Sequence, residues 1–221
     1  MVAVLVVVTV VVFLAVEGIL RLLTRRKTAE VKLPSQEKSL QLLPAGLFVH
    51  PGHMWAEIQR TGRARVGYDD FIAHALGGVD RVVMRDVGER LRRGEPLLYL
   101  ERKGRRLGLP APLSGAITSR NERLLSNPKA PAHTWTCTLE PECLGDEIES
   151  LKVGDSARAW LRSETRRFSA WLATLFPARP GIALPDGGVP VSGILADLDD
   201  SAWDSFQQSF LQLDEGSGNS T

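Results

Sequence analysis

Four cations crowd one glycine in the middle of the chain: Arg102, Lys103, Arg105 and Arg106 flank Gly104. Lys103-Gly104 reads as the two central residues of a tight β-hairpin turn, where glycine tolerates positive φ at the second place. Such a cationic tip can meet an acidic protein surface or anionic lipid headgroups, each cation being worth about 1 kcal/mol near such a membrane. The other chemistry-bearing residues form no working set. His50 and His53 make an H-x-x-H with no helix or further ligands to complete a metal site, and His74 and His133 stand alone. Cys137 and Cys143 lie at the end of a predicted strand, without the C-x-x-C of a zinc or redox site. Gly181, Gly187 and Gly188 lack the strand–turn–helix setting that phosphate binding needs. No acid pair or triad is present, so catalysis is not expected and neither is a metal.

The composition narrows the class further. The 221 residues carry 27 Lys and Arg against 26 Asp and Glu, a net charge of +1, which speaks against a nucleic-acid binder. At 24% charged and 43% hydrophobic, the chain is too apolar to be wholly disordered. The apolar residues are unevenly spread. Met1 to Val16 carries no charge and nine valines, Val2 and Val16 among them. Extension to residue 24 reaches the length of a membrane span, since sixteen residues cover only about 24 Å as helix against a core of about 30 Å. Glu17 and Arg21 stand at i,i+4 spacing near the interface. A signal peptide would need a basic n-region and a small-residue cleavage site. Residues 1–24 are therefore expected to be a single-pass anchor in lipid, where helix is nearly forced. Arg21, Arg25, Arg26 and Lys27 follow it, which places the N-terminus outside and the main domain on the cytoplasmic side of an inner membrane.

Residues 25–46 read as a polar tether. From Leu47 to Ile117 short apolar runs alternate with glycine turns: Phe48-Val49, Ala64 to Val66, Val79 to Met84, Leu97 to Leu100, Leu107 to Leu109, and Leu113 to Ile117. This is the pattern of a small antiparallel barrel or sandwich. Asp70 to Leu76 reads as a short helix with Asp69 or Asp70 as N-cap. Ala157 to Phe176 is helical, with Trp160, Leu161, Phe168, Trp171, Leu172 and Leu175 on one face; it closes a domain spanning 47–176. A Pro- and Gly-rich arm follows over 177–193. Residues 194–213 form an amphipathic helix capped around Asp199 to Ser201. It would present Trp203, Phe206 and Phe210 to a partner, or fold back on the barrel. Residues 214–221 are a polar tail.

Ordered landmarks along this domain resemble the H protein of the glycine cleavage system, a member of the biotinyl/lipoyl carrier family. His53-Met54-Trp55 stands where that family has His-Glu-Trp. Arg65 to Asp70 followed by Ala75-Leu76-Gly77 matches "VGITDYAQ…LG". Val87-Gly88 and Gly94-Glu95-Pro96 match the turn into the hairpin, and Ala111-Pro112-Leu113-Ser114-Gly115 matches "APVSG". Asn121, Leu124 and Asn127-Pro128, then Trp135 and Leu151 to Leu161, complete the series. The resemblance implies a mainly β fold, a lipoyl-type barrel-sandwich hybrid with C-terminal helices. It also implies a carrier rather than an enzyme, with lipoate on a hairpin lysine.

Counting three after Glu101 and eleven before Gly115, the lipoyl-lysine position is Gly104, and Lys103 stands one residue earlier. Consecutive strand residues point to opposite faces, so a one-residue slip re-aims a side chain. The expectation is a chain without cofactor: a non-catalytic, membrane-tethered accessory subunit. Its degenerate lipoyl-like domain would dock on a larger integral-membrane complex, respiratory or photosynthetic, through Arg102, Lys103, Arg105, Arg106, Trp203, Phe206 and Phe210. The alternative is a lipoylated carrier, with lipoate on Lys103, serving a membrane-associated dehydrogenase or reductase.

Overall fold

The computed structural model describes residues 46–128, 134–176 and 190–213. The expected anchor with Val2, Val16, Glu17 and Arg21, most of the tether, His133, the arm up to residue 189 and the polar tail lie outside the described residues. No helix among the described residues is long and apolar enough to cross a membrane.

Among the described residues, ten strands form two antiparallel sheets. The larger uses β1 (Leu47–His50), β2 (Met54–Ile58), β3 (Ala64–Tyr68), β5 (Arg90–Leu91), β8 (Gly115–Arg120), β9 (Cys137–Pro141) and β10 (Lys152–Val153) in the order β10-β1-β2-β3-β9-β8-β5. The smaller has β4 (Arg81–Met84), β6 (Pro96–Arg102) and β7 (Arg105–Pro110) in the order β4-β6-β7. Alternation along these strands turns one face inward, so Met54, Val66, Leu98, Leu100, Leu107, Leu109, Ile117 and Leu139 share one core. The mainly β sandwich with C-terminal helices is thus as expected, and β4, β6 and β7 fall on the apolar runs that foretold them.

Among the described residues five helices accompany the sheets: α1 (Asp70–Leu76), α2 (Glu122–Ser126), α3 (Leu144–Ile148), α4 (Gly154–Leu175) and α5 (Asp200–Phe210), with a 3-10 turn over Ile194–Asp197 before the last. Asp69 caps α1 by accepting the Ile72 N–H, and Asp199 caps α5 by accepting that of Ala202. These side chains satisfy amide donors that the first helical turn leaves orphaned. α4 lays Ala157 and Leu161 on Leu47, Val49 and Trp55.

The C-terminal helix joins the main core: of the two placements open to it, it takes the fold back on the barrel and not the docking face. Phe71 of α1, Phe168 and Trp171 of α4, and Phe206 and Phe210 of α5 form one aromatic knot. Its ring centroids lie 5.3 Å apart for Phe71–Phe168, 5.5 Å for Phe168–Phe206 and 5.0 Å for Phe206–Phe210. Arg167 sits 4.4 Å over the Phe210 ring and donates to the Ser209 carbonyl. Upstream, Gly193 lies so close to Gly77 that a Cβ on Gly77 would come within 2.5 Å of the Gly193 Cα. Glycine is required at that crossing. The Gly193 N–H also donates to the His74 carbonyl at 2.8 Å.

Because the Phe206 ring is fully buried, Phe206→Ala is expected to lower stability by about 3–5 kcal/mol. Urea unfolding followed by tryptophan fluorescence measures it; a loss under 1 kcal/mol would mean that α5 does not complete the core.

Candidate functional site

Strands β6 and β7 pair out to Arg102↔Arg105, which leaves Lys103 and Gly104 as a two-residue turn. Their φ values, +48° and +80°, are both positive, as a type I′ hairpin demands. A Cβ built on Gly104 would meet nothing within 4 Å, so glycine serves the backbone there and not a steric need. The tip is fixed from below by Asp80, whose Oδ2 accepts the Lys103 N–H at 2.8 Å while Oδ1 accepts from Arg102 Nη1 at 2.7 Å.

Every cation of the tip meets a carboxylate of the same protein. Arg102 pairs with Asp80, and Lys103 Nζ pairs with Asp197 of the 3-10 turn. Arg105 Nε lies 2.8 Å from Asp200, its Nη1 donates to the Leu198 carbonyl, and its guanidinium sits 5.7 Å over the Trp203 ring. Arg106 Nε reaches Glu101 at 2.7 Å, and Arg81 takes the other oxygen of that carboxylate at 2.6 Å. The Arg81 hydrogen bond, followed by that of Arg106, pulls the Glu101 carboxyl down to about 2. Hydrogen bonding from Lys103 likewise holds Asp197 below the usual carboxylate range.

Two expectations are corrected by these contacts. The tip is not an open basic surface, because Asp80, Glu101, Asp197 and Asp200 already neutralise it. Nor do Trp203, Phe206 and Phe210 face a partner: they are 3%, 0% and 1% exposed, and the Trp203 indole N–H donates to the Arg106 carbonyl. The apolar stripe of α5 was legible in the sequence, but the surface it covers was not. No local signal marks Asp197 and Asp200 as partners of a hairpin more than ninety residues upstream.

The remaining chemistry-bearing residues are held by structure. His53 is fully buried, its Nδ1 donating to Asp69 at 2.8 Å and its ring stacked 4.1 Å from Phe71. Its Nε2 faces Glu164 of α4 at 3.9 Å. His50 Nδ1 accepts the Gly52 N–H, and His74 Nε2 donates to the Pro190 carbonyl. Ser114 is gripped by Glu147, which accepts from both its N–H and its hydroxyl. Cys137 and Cys143 are free thiols; burial pushes that of Cys137 up to about 12, far from a reactive thiolate.

The fold and its tip define a class: a small β sandwich that displays one lysine at a hairpin apex, with its buried histidines and Ser114 committed to structure. Comparison with known proteins makes the class specific. Residues 47–163 match the family described as Glycine cleavage H-protein, and the chain belongs to that family. It is 32% identical over 113 residues to the glycine cleavage system H protein of Methylococcus capsulatus, spanning 49% of this chain and 89% of that one. It is 28% identical over 122 residues to a probable glycine cleavage system H protein of Pyrococcus abyssi, spanning 53% and 91%. A crystal structure of a glycine cleavage system H protein from Mycobacterium marinum aligns at 24% identity and a TM-score of 0.44, covering 55% of this chain and 99% of that one. Proteins of this family are non-catalytic carriers, in line with the expectation that the chain is no enzyme.

Two acid-sensitive groups follow from the geometry. Desolvation, with Arg93 and His53 nearby, lowers His50 from 6.5 to about 4. The unfolded chain therefore binds a proton that the folded one refuses, and stability is lost as pH falls from 6.5 to 4. The loss is roughly 3 kcal/mol, and His50→Gln should remove it from a pH series of urea midpoints. Glu101 acts through a depressed carboxyl. Its contribution is complete above pH 4.5 and is lost as pH falls toward 2; Glu101→Gln should flatten the stability curve only in that lower window.

Proposed function

We propose that the chain is a non-catalytic carrier of the H-protein type, with Lys103 as the attachment point for a lipoyl arm. The observation that carries this reading is the position of Lys103 in the turn. The gapless count puts Gly104 at the lipoyl-lysine position, yet Lys103 and Gly104 are the two central residues of one turn. The one-residue offset therefore moves the amine between two apex positions and does not swing it across a strand. Lys103 is 55% exposed in its side chain, and Lys152 in β10 is the other lysine among the described residues. The apex fits the group: the Lys103 side chain is half exposed, and a Cβ on the neighbouring Gly104 would meet nothing within 4 Å. When bound, lipoate supplies a dithiolane that carries reaction intermediates between enzymes. This chain's share is to hold the hairpin rigid, through Asp80 under the turn and the Arg81–Glu101–Arg106 cluster on β6 and β7.

A second reading is favoured by Gly104 itself together with the Asp197 pairing of Lys103. In it the chain is an unloaded member of the family, tethered through residues 1–24 to the cytoplasmic face of an inner membrane, and it docks on an integral-membrane complex. Intact mass of the native protein separates the two. A lipoyl increment that disappears in Lys103→Arg supports the carrier; an unmodified mass from cells with active lipoylation overturns it. Gly104→Lys then places an amine at the family position, and it should become lipoylated if the tip is still recognised.

A further inference from the structure

The amine at the apex is engaged by a part of the chain that lies beyond the family match. Asp197 sits at the end of the Ile194–Asp197 turn, which follows residues 47–163 in sequence. Its place does not depend on its charge. Ile194, Leu195 and Ala196 beside it are buried, and Gly193 is hydrogen-bonded to the His74 carbonyl. The turn is thus nailed to α1 and the core while the Asp197 carboxylate stays 66% exposed and points at Lys103 Nζ. Three residues on, Asp200 and the Leu198 carbonyl hold Arg105, on the far side of the same two-residue turn. The aromatic knot keeps this segment in register whether or not the ion pair forms.

We propose that Asp197 is a gate on the Lys103 amine: it retains the ammonium in the unmodified chain, slows acylation of Nζ, and loses its hold once Nζ is acylated. The physiological meaning rests on the carrier reading; the chemistry does not. Acylation by an activated carboxyl needs the free amine, so the ammonium first gives up one proton. The Nζ lone pair then forms the N–C bond, the bond from the acyl carbon to the leaving oxygen breaks, and a second proton leaves nitrogen. The product amide is neutral and can no longer serve as the cationic half of the pair. Asp197 favours the ammonium and so opposes the first of these losses. Exposed pairs of this kind are weak, which sets the effect at about threefold. That makes Asp197 a positioning residue that delays loading, while α5 stays seated on its aromatic anchors throughout.

The test uses the full chain and a limiting dose of N-hydroxysuccinimidyl acetate, with peptide mass spectrometry reporting acetylation of Lys103 relative to Lys152. Asp197→Asn should raise the Lys103 ratio about threefold at low salt. Asp200→Asn, which frees Arg105 instead, should leave it near wild type. High salt should bring wild type up toward the Asp197→Asn value by screening the pair. An Asp197→Asn ratio equal to wild type at low salt overturns the gate. Amide exchange gives an independent readout: residues 194–197, held by the core, should exchange alike in wild type and Asp197→Asn, and faster exchange in Asp197→Asn alongside a raised ratio overturns the gate, because the turn itself has then loosened. The carrier reading fails separately. A native mass without lipoate, alongside a raised ratio in Asp197→Asn, keeps the gate and removes the carrier. Lipoate on Lys103 with an unmoved ratio does the reverse.

Discussion

The arrangement of this molecule depends on an aromatic knot. Phe71, Phe168, Trp171, Phe206 and Phe210 come from three helices that are far apart in sequence and share one contact, all but Trp171 buried. Rings of this size remove large apolar areas from water, and edge-to-face contacts such as Phe168 on Phe206 and Phe210 add to that burial. Once α5 is seated, the preceding residues have little freedom: the Gly77–Gly193 crossing and the His74 hydrogen bonds fix where the chain enters it. Asp197 and Asp200 are thereby delivered to the hairpin tip. Packing decides the location, and electrostatics completes what packing has placed.

This order of events explains why five cations can gather around one hairpin at little cost. Arg81, Arg102, Lys103, Arg105 and Arg106 face Asp80, Glu101, Asp197 and Asp200. Each exposed pair contributes little alone. Together they make the tip nearly neutral and orient its long side chains, with Arg105 laid over Trp203. A partner approaching the tip meets paired charges and one lysine amine, a surface quite different from the cationic run read along the strand.

Much of the architecture was legible along the chain. Glycine turns between apolar runs announced the sandwich, and the asparagine, proline and tryptophan landmarks identified the family. Asp69 could be read as a helix cap because capping is local: the carboxylate serves the Ile72 amide, three residues away. Its second bond, to His53, was not legible, since it depends on β2 and α1 meeting in space. The same limit applies to α5. Its apolar stripe demands burial but carries no mark of the surface that supplies it, so a docking face and a core helix look identical in one dimension. The tip was half legible: Lys103-Gly104 could be seen as a turn, but two of its acidic partners, Asp197 and Asp200, arrive from a segment almost a hundred residues on.

The seating of α5 has one more effect, on the rim of the smaller sheet. β7 is that sheet's last strand, and its outward groups would ordinarily be available to any extended chain. Here the Arg106 carbonyl takes the Trp203 indole, and the Gly108 amide donates to Gln207. A strand closed in this way cannot serve as a template for fibril growth or for zipping two copies together, so self-association by β-augmentation is blocked at the side where the displayed lysine must remain reachable.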